Sequence, residues 1–146
     1  MPQLPGKLVL IDDDELEREL LEETLSEKEW EISIEHFSNA HEALNYLKTT
    51  SDAIFLLICD MNMPKIDGLT LKKMIDDDPQ ISQKALPFIF LSTSATRDQI
   101  RAAYSYRVQG YFRKTQSIEE QAEMLDIIIR YWIVNQHPNI EDLPKV

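Results

Sequence analysis

Hydrophobic residues fall along this chain in five short bursts, and the stretches between them carry apolar positions at helical spacing. LVLI (8–11), AIFLLIC (53–59) and PFIFL (87–91) are uniformly apolar and of strand length, and GYF (110–112) is a weaker run of the same kind. EISIEHF (31–37) alternates instead. Alternation suits an edge strand, whereas continuous apolar runs suit a parallel sheet covered on both faces.

The intervening segments begin with helix start signals. Asp14 with Glu17 three residues later has the pattern of a capping box, and Leu16, Leu20, Leu21 and Leu25 follow as one expected apolar face. Asn39 with Glu42 precedes Ala43, Leu44 and Leu47; Thr96 with Gln99 precedes Ile100 and Ala103; and Ser117 with Glu120 opens the last helix. The segment from Asp67 to about Asp77 supplies the remaining helix, closed by Pro79, and DDDPQISQK (76–84) reads as a polar connection. Five strands alternating with five helices predict an α/β fold, a doubly wound five-stranded parallel sheet with helices on both faces.

The last helix should run from near Ile118 to before Pro138. Leu125, Ile128, Ile129 and Trp132 form one apolar stripe on it, and Met124, Ile127, Tyr131 and Val134 form a second. A helix lying on a sheet needs only one. The second stripe is expected to pack under the tail NIEDLPKV or to meet another protein, such as a second copy of the chain.

Composition narrows the function. The length of 146 residues suits a single domain over 1–146, with 43% apolar and 28% charged residues in ordinary globular proportion. No stretch approaches the roughly 18 consecutive apolar residues of a membrane span, and MPQLPGKLVL lacks the features of a secretion signal. A single cysteine, Cys59, excludes an internal disulfide, so a soluble cytoplasmic protein is expected, with no membrane partner. A net charge of −11 with no local basic stripe argues against nucleic acid as a partner. No repeat, linker or output domain is discernible.

In folds of this class ligands bind beyond the carboxyl ends of the strands. There the sequence places Asp12, Asp13 and Asp14 after the first strand, Asp60 after the third, Ser92 after the fourth and Lys114 after the fifth. If the first and third strands are neighbours, three carboxylates share one pocket, which is costly without a hard cation. Mg²⁺ fits such a site, because it takes one or two carboxylates and leaves a position for a phosphate. A lysine and a hydroxyl opposite would complete a clamp on a transferring phosphoryl group. Asp14 is better explained as a helix cap than as a ligand, and Thr93 is the alternative to Ser92. Cys59 should point to the opposite face of the sheet from Asp60 as an inert core thiol, and His36, His41 and His137 share no ligand spacing and read as solvated or capping residues.

KLVLIDDDE, LLICDMNMPKIDG, FIFLSTSAT and QGYFRKTQS together resemble, in order and spacing, the four signature segments of the response-regulator receiver family of two-component signalling, over roughly residues 7 to 135 with a tail at 136–146. The resemblance is to stand-alone members, chemotaxis-regulator-like or phytochrome-partner-like. It implies a flavodoxin-like receiver fold with strand order 2-1-3-4-5 and Asp60 as the phosphorylated nucleophile. It implies Mg²⁺ held by Asp12, Asp13, Asp60 and the carbonyl of Asn62, and Ser92 and Lys114 as catalytic contacts to the phosphoryl group. Ser92 and Tyr111 would form the switch, with Pro64 and Gly68 shaping the loop after Asp60. The partners implied are a sensor histidine kinase or histidine phosphotransfer protein, a downstream protein target, and a homodimer through the C-terminal helix. Family members usually carry proline after the lysine, commonly with a cis bond, whereas Thr115 follows Lys114 here and leaves that geometry open.

Other functions fit less well. An aspartyl-phosphate phosphohydrolase needs an acid two residues after the nucleophile, where this chain has Asn62. A docking module that is never phosphorylated is expected to lose an acid or the lysine, and both are present. A flavin or nucleotide binder needs a Gly-rich or hydroxyl-rich loop where the acids stand. The expectation is a signalling phosphoacceptor rather than an enzyme with a separate substrate.

Overall fold

In the computed structural model, residues 3–144 are described. The chain runs β1 (Gln3–Ile11), α1 (Leu16–Glu27), β2 (Glu31–Phe37), α2 (Ala40–Thr49), β3 (Ile54–Cys59), α3 (Gly68–Asp77), α4 (Pro79–Ser82), β4 (Phe88–Ser92), α5 (Arg97–Ser105), β5 (Gly110–Arg113) and α6 (Ile118–Val134). All strand pairs are parallel and the order is β2-β1-β3-β4-β5, as the resemblance implies. Among the described residues there are six helices rather than five. The additional one, α4, lies in the segment expected to be a polar connection: Pro79 occupies its first turn, Asp78 Oδ1 accepts from Gln80 N, and Ile81 is buried beneath it.

All six residues of β3 are buried, and its side chains are divided between two separate cores. One face, with Phe55, Leu56 and Ile58, packs beneath α1 and α6 together with Leu8, Leu21, Leu25, Ile129 and Trp132. The other, with Ile54, Leu57 and Cys59, packs beneath α2 and α3 with Val9, Ala43, Leu47, Leu71 and Phe90. Burying each large aliphatic side chain stabilises the fold by about 2 kcal/mol relative to leaving it in water. Cys59 is the inert core thiol expected, its ionisation pushed well up by burial.

The expected caps hold for three helices, and a fourth, Asp67, emerges from the structure. Asn39, Asp67, Thr96 and Ser117 each accept a backbone N–H from the residue three positions on, and Thr96 with Gln99 forms a full capping box. At α1 the outcome differs. Asp14 Oδ1 accepts from Leu16 N (3.0 Å), but no box closes, because the Asp14 N–H already donates to Asp12 Oδ1 (2.9 Å) and the Glu17 carboxylate turns to Lys114. Nor do the four leucines share a face. Leu21 and Leu25 are buried, whereas Leu16, five residues before Leu21 and so roughly 140° around the wheel, points to solvent with Leu20.

At the C-terminus the first stripe of α6 is buried as expected, and Ile127, Tyr131 and Val134 of the second are 66%, 58% and 67% exposed. The described part of the tail takes another course. His137 is buried rather than solvated: its ring stacks on Phe55, its Nδ1 accepts from Asn139 N (3.1 Å), and its Nε2 donates to the Phe55 carbonyl (2.8 Å). Asn139 Nδ2 bonds to the Lys84 carbonyl, and Ile140 enters the core beside Leu4 and over Gly6, whose φ of +85° fits a bulge in β1. The tail therefore seals the amino-terminal end of the sheet, and the second stripe stays uncovered by it.

Gly68 opens α3 directly behind the end of β3, and a Cβ there would lie 2.3 Å from the Asp60 carbonyl oxygen and 2.7 Å from the Phe90 ring. Gly68→Ala should therefore cost about 3 kcal/mol through forced backbone displacement, read as a lowered urea midpoint with an unchanged slope.

Candidate functional site

Strand register builds the site. Ile11 pairs with Cys59, Cys59 with Phe90 and Phe90 with Tyr111, so these four form one row across β1, β3, β4 and β5. Asp12 and Asp60 are the first residues past β1 and β3, and each is fixed by its backbone: Asp12 N donates to the Phe37 carbonyl, Asp60 N to the Ile11 carbonyl. One carboxylate oxygen from each of Asp12, Asp13 and Asp60 lies within 4.8 Å of the others. The neighbouring strands and the crowded acids thus appear as expected, and an all-oxygen donor set of this kind suits a hard divalent cation.

The three acids differ in setting. Asp12 is buried at 1% exposure, Asp60 is half-buried and Asp13 is exposed. Lys114 Nζ bonds to Asp12 Oδ2 at 2.8 Å and lies 3.3 Å from Glu17 Oε1, so the lysine sits between two carboxylates. Burial pushes the Asp12 carboxyl above its ordinary range, with Lys114 offsetting part of the rise. Glu17 is raised for the same reason. Burial by itself would lower Lys114, but its bond to Asp12 and the charges of Asp12, Asp60 and Glu17 outweigh it and carry the lysine up. The acids rise chiefly because they are buried, and the lysine because acids surround it.

Ser92 ends β4 fully buried, its Oγ accepting weakly from Ser94 N (3.4 Å), and its carbonyl accepts from Lys114 N (2.9 Å). Thr93 is exposed. Asn62 lies exposed on the loop after β3, its N–H 3.5 Å from Asp60 Oδ1. Tyr111 is half-buried with its ring 5.6 Å from that of Phe90, and its hydroxyl donates to the Ser94 carbonyl in the loop after β4. Burial and the Asp60 charge raise its ionisation above the usual phenol value. The Lys114–Thr115 peptide is trans. In place of a proline, Thr115 ties the loop to α6: its N–H donates to Gln121 Oε1 (3.0 Å), and its hydroxyl lies 3.0 Å from the Ser117 carbonyl.

Three supporting residues escaped the sequence. Glu17 was assigned to a cap, although on the wheel it lies on the same side of α1 as Leu21 and so faces the pocket. His36 Nε2 is 2.8 Å from the Asp12 carbonyl oxygen, placed there because β2 pairs with β1. Gln121 acts across the chain and leaves no local signal.

The fold and this acidic pocket define a class, and comparison with known proteins gives it a family. Residues 8–126 match the family model of the response regulator receiver domain, and the chain belongs to that family. Chemotaxis protein CheY1 of Helicobacter pylori is 29% identical over 125 residues, covering 84% of this chain and 96% of that protein. Response regulator Rcp1 of Synechocystis is 24% identical over 134 residues, covering 88% and 90%. A Mn(2+)-bound form of a response regulator Rcp1 superposes with a TM-score of 0.75 at 23% identity, over 97% of this chain and 100% of that one. The phosphorylated cyanobacterial phytochrome response regulator RcpA superposes with a TM-score of 0.77 at 24% identity, over 89% of this chain and 95% of that one.

The Asp12–Lys114 pair is nearly dry, with side chains 2% and 11% exposed. Removing only the cation strands a buried carboxylate, so Lys114→Met should lose about 3 kcal/mol in chemical denaturation. Adding Asp12→Asn should restore most of that loss, and the double-mutant cycle measures the coupling.

Proposed function

We propose that this chain is a phosphoacceptor switch: Asp60 accepts a phosphoryl group, with Mg²⁺ bound by Asp12, Asp13, Asp60 and the carbonyl of Asn62. The observation that carries the reading is the convergence of three carboxylates from β1 and β3 with Lys114 from the end of β5. When bound, the cation supplies charge neutralisation between the carboxylates and the phosphoryl oxygens. The chain's own groups do the rest. Asp60, held at the strand end, is the nucleophile; Lys114 leaves Asp12 and Glu17 to pair with the phosphoryl oxygens; and the Ser92 hydroxyl donates to one of them. The donor would be a sensor histidine kinase or histidine phosphotransfer protein in the cytoplasm. The chain would act only on its own phosphorylation state rather than on a separate substrate.

The signal would leave through Tyr111. Movement of Ser92 toward the phosphoryl group frees the loop that holds the Tyr111 hydroxyl at Ser94, which alters the face of α5, β5 and α6 offered to a downstream protein. Incubation with a small phosphodonor and Mg²⁺ should add one phosphoryl group at Asp60 by mass spectrometry. Modification that persists in Asp60→Asn, or proceeds equally in excess chelator, overturns the assignment. Mg²⁺ should also raise the melting temperature, by an amount equivalent to about 2.7 kcal/mol at a hundredfold excess over its dissociation constant. The sign with pH follows from Asp12, whose raised value means that stability present at low pH is lost as the carboxyl ionises. The cation opposes that loss, so the gain should be larger at neutral than at mildly acid pH.

The exposed stripe of Ile127, Tyr131 and Val134 supports a homodimer through α6, since two-fold symmetry sets the same apolar stripe on both partners. Sedimentation should show a dimer that Tyr131→Glu with Val134→Glu converts to monomer. A wild type that stays monomeric at high concentration, phosphorylated or not, removes the dimer.

A further inference from the structure

At the opposite end of the sheet from the acidic pocket, beneath the start of β4, lies a cavity of about 370 Å³. Ile75, Ile81, Leu86, Phe88 and Trp132 form its apolar wall, and Lys72 with its partner Asp76 borders it beside the polar Ser82 and Gln109. A volume in this range is that of a small-molecule site, which is commonly apolar with a few placed polar groups.

Lys72 is an unusual wall. It lies on the buried side of α3 beside Ile75, and only 8% of it is exposed. Its Nζ contacts Asp76 Oδ1 at 2.6 Å and stands 5.7 Å from the Phe88 ring centroid. An ammonium has three N–H donors. Asp76 takes one, and no other acceptor among the described residues bonds to it. Lys72 also borders an adjoining groove of about 390 Å³, where Lys72, Lys73 and Arg107 face Asp76 and Asp77. Three cations to two acids is a local reversal on a chain with 15 cations and 26 acids. An anion is repelled from most of this surface and drawn to this part of it.

We propose that this cavity binds a small organic anion, an aromatic or branched carboxylate whose apolar body lies against Phe88, Ile81 and Trp132 and whose charge meets the free donors of Lys72. The contact is a charge-assisted hydrogen bond in a poorly solvated place, where such bonds are strongest. The site shares no residue with the acidic pocket and stands whether or not Asp60 is a phosphoacceptor.

The test is an amide NMR titration of the full chain with naphthoate as probe and naphthyl methanol as its uncharged counterpart. Naphthoate should give saturable shifts at Ile75, Ile81, Phe88 and Gln109, and bind about tenfold more tightly than the alcohol, the equivalent of about 1.4 kcal/mol. Lys72→Met keeps the length and apolar stem of the side chain and should abolish that tenfold preference while leaving the alcohol's binding unchanged. Ser82→Trp, at the exposed rim, should block both probes. Fold is verified in each variant by its undisturbed amide spectrum elsewhere. Absence of saturable shifts at millimolar naphthoate, a preference that survives Lys72→Met, or shifts centred on Lys114 instead of Lys72 would each overturn the proposal.

Discussion

The ion pair between Asp12 and Lys114 joins the ends of β1 and β5, two strands separated in the sheet by β3 and β4. It is the closer and drier of the two ion pairs that Lys114 makes in the acidic pocket. Around it, Asp13, Asp60 and Glu17 add negative charge that a lone lysine does not offset. The carboxylates stay together because the strands beneath them are fixed by two hydrophobic cores, in which the sequence has no freedom to move one strand end away from another. The stability of those cores sustains an electrostatically unfavourable site, a common arrangement where function requires strain.

That separation of labour decides what could be read from the sequence. The strands were legible because a sheet covered on both faces demands continuous apolar runs, and the pocket was legible because each run is followed at once by a polar residue of definite chemistry. Caps made by contiguous residues, such as Asn39 and Thr96, were legible for the same reason: their partners lie three residues away. Glu17 was not. Its spacing from Asp14 satisfies a local pattern, and the competing partner, Lys114, is distant in sequence and prevails because Asp12 has already taken the Asp14 N–H. His36 and Gln121 act across strand pairing and across a loop, where single-sequence patterns carry no information. The short helix α4 was hidden by its polar residues, since one buried side chain, Ile81, is too little to set a period.

The C-terminal segment shows the same limit from another side. The first stripe was correctly placed on the helix and the second all but Met124, which packs against the core, yet whether the tail would cover the rest depends on where the chain turns after Val134. His137 settles that by inserting against Phe55 and directing Ile140 toward Gly6, at the amino-terminal end of the sheet. The outer stripe remains open and the lower edge of the domain is closed. The two ends of the sheet thereby acquire different character, crowded with acids above and closed by the tail below, where Lys72 and Asp76 border a largely apolar wall.

Both tryptophans lie on the α6 side of the molecule. Trp30 donates its indole N–H to Asp126 of α6 and lies beneath Arg130, and Trp132 belongs to α6 itself, edge-on to Tyr131 and His137. The native fluorescence of the protein is therefore a gauge of how the last helix is seated. Emission that shifts when Asp60 is altered would mean that the event had travelled from one side of the sheet to the other, with no label introduced to see it.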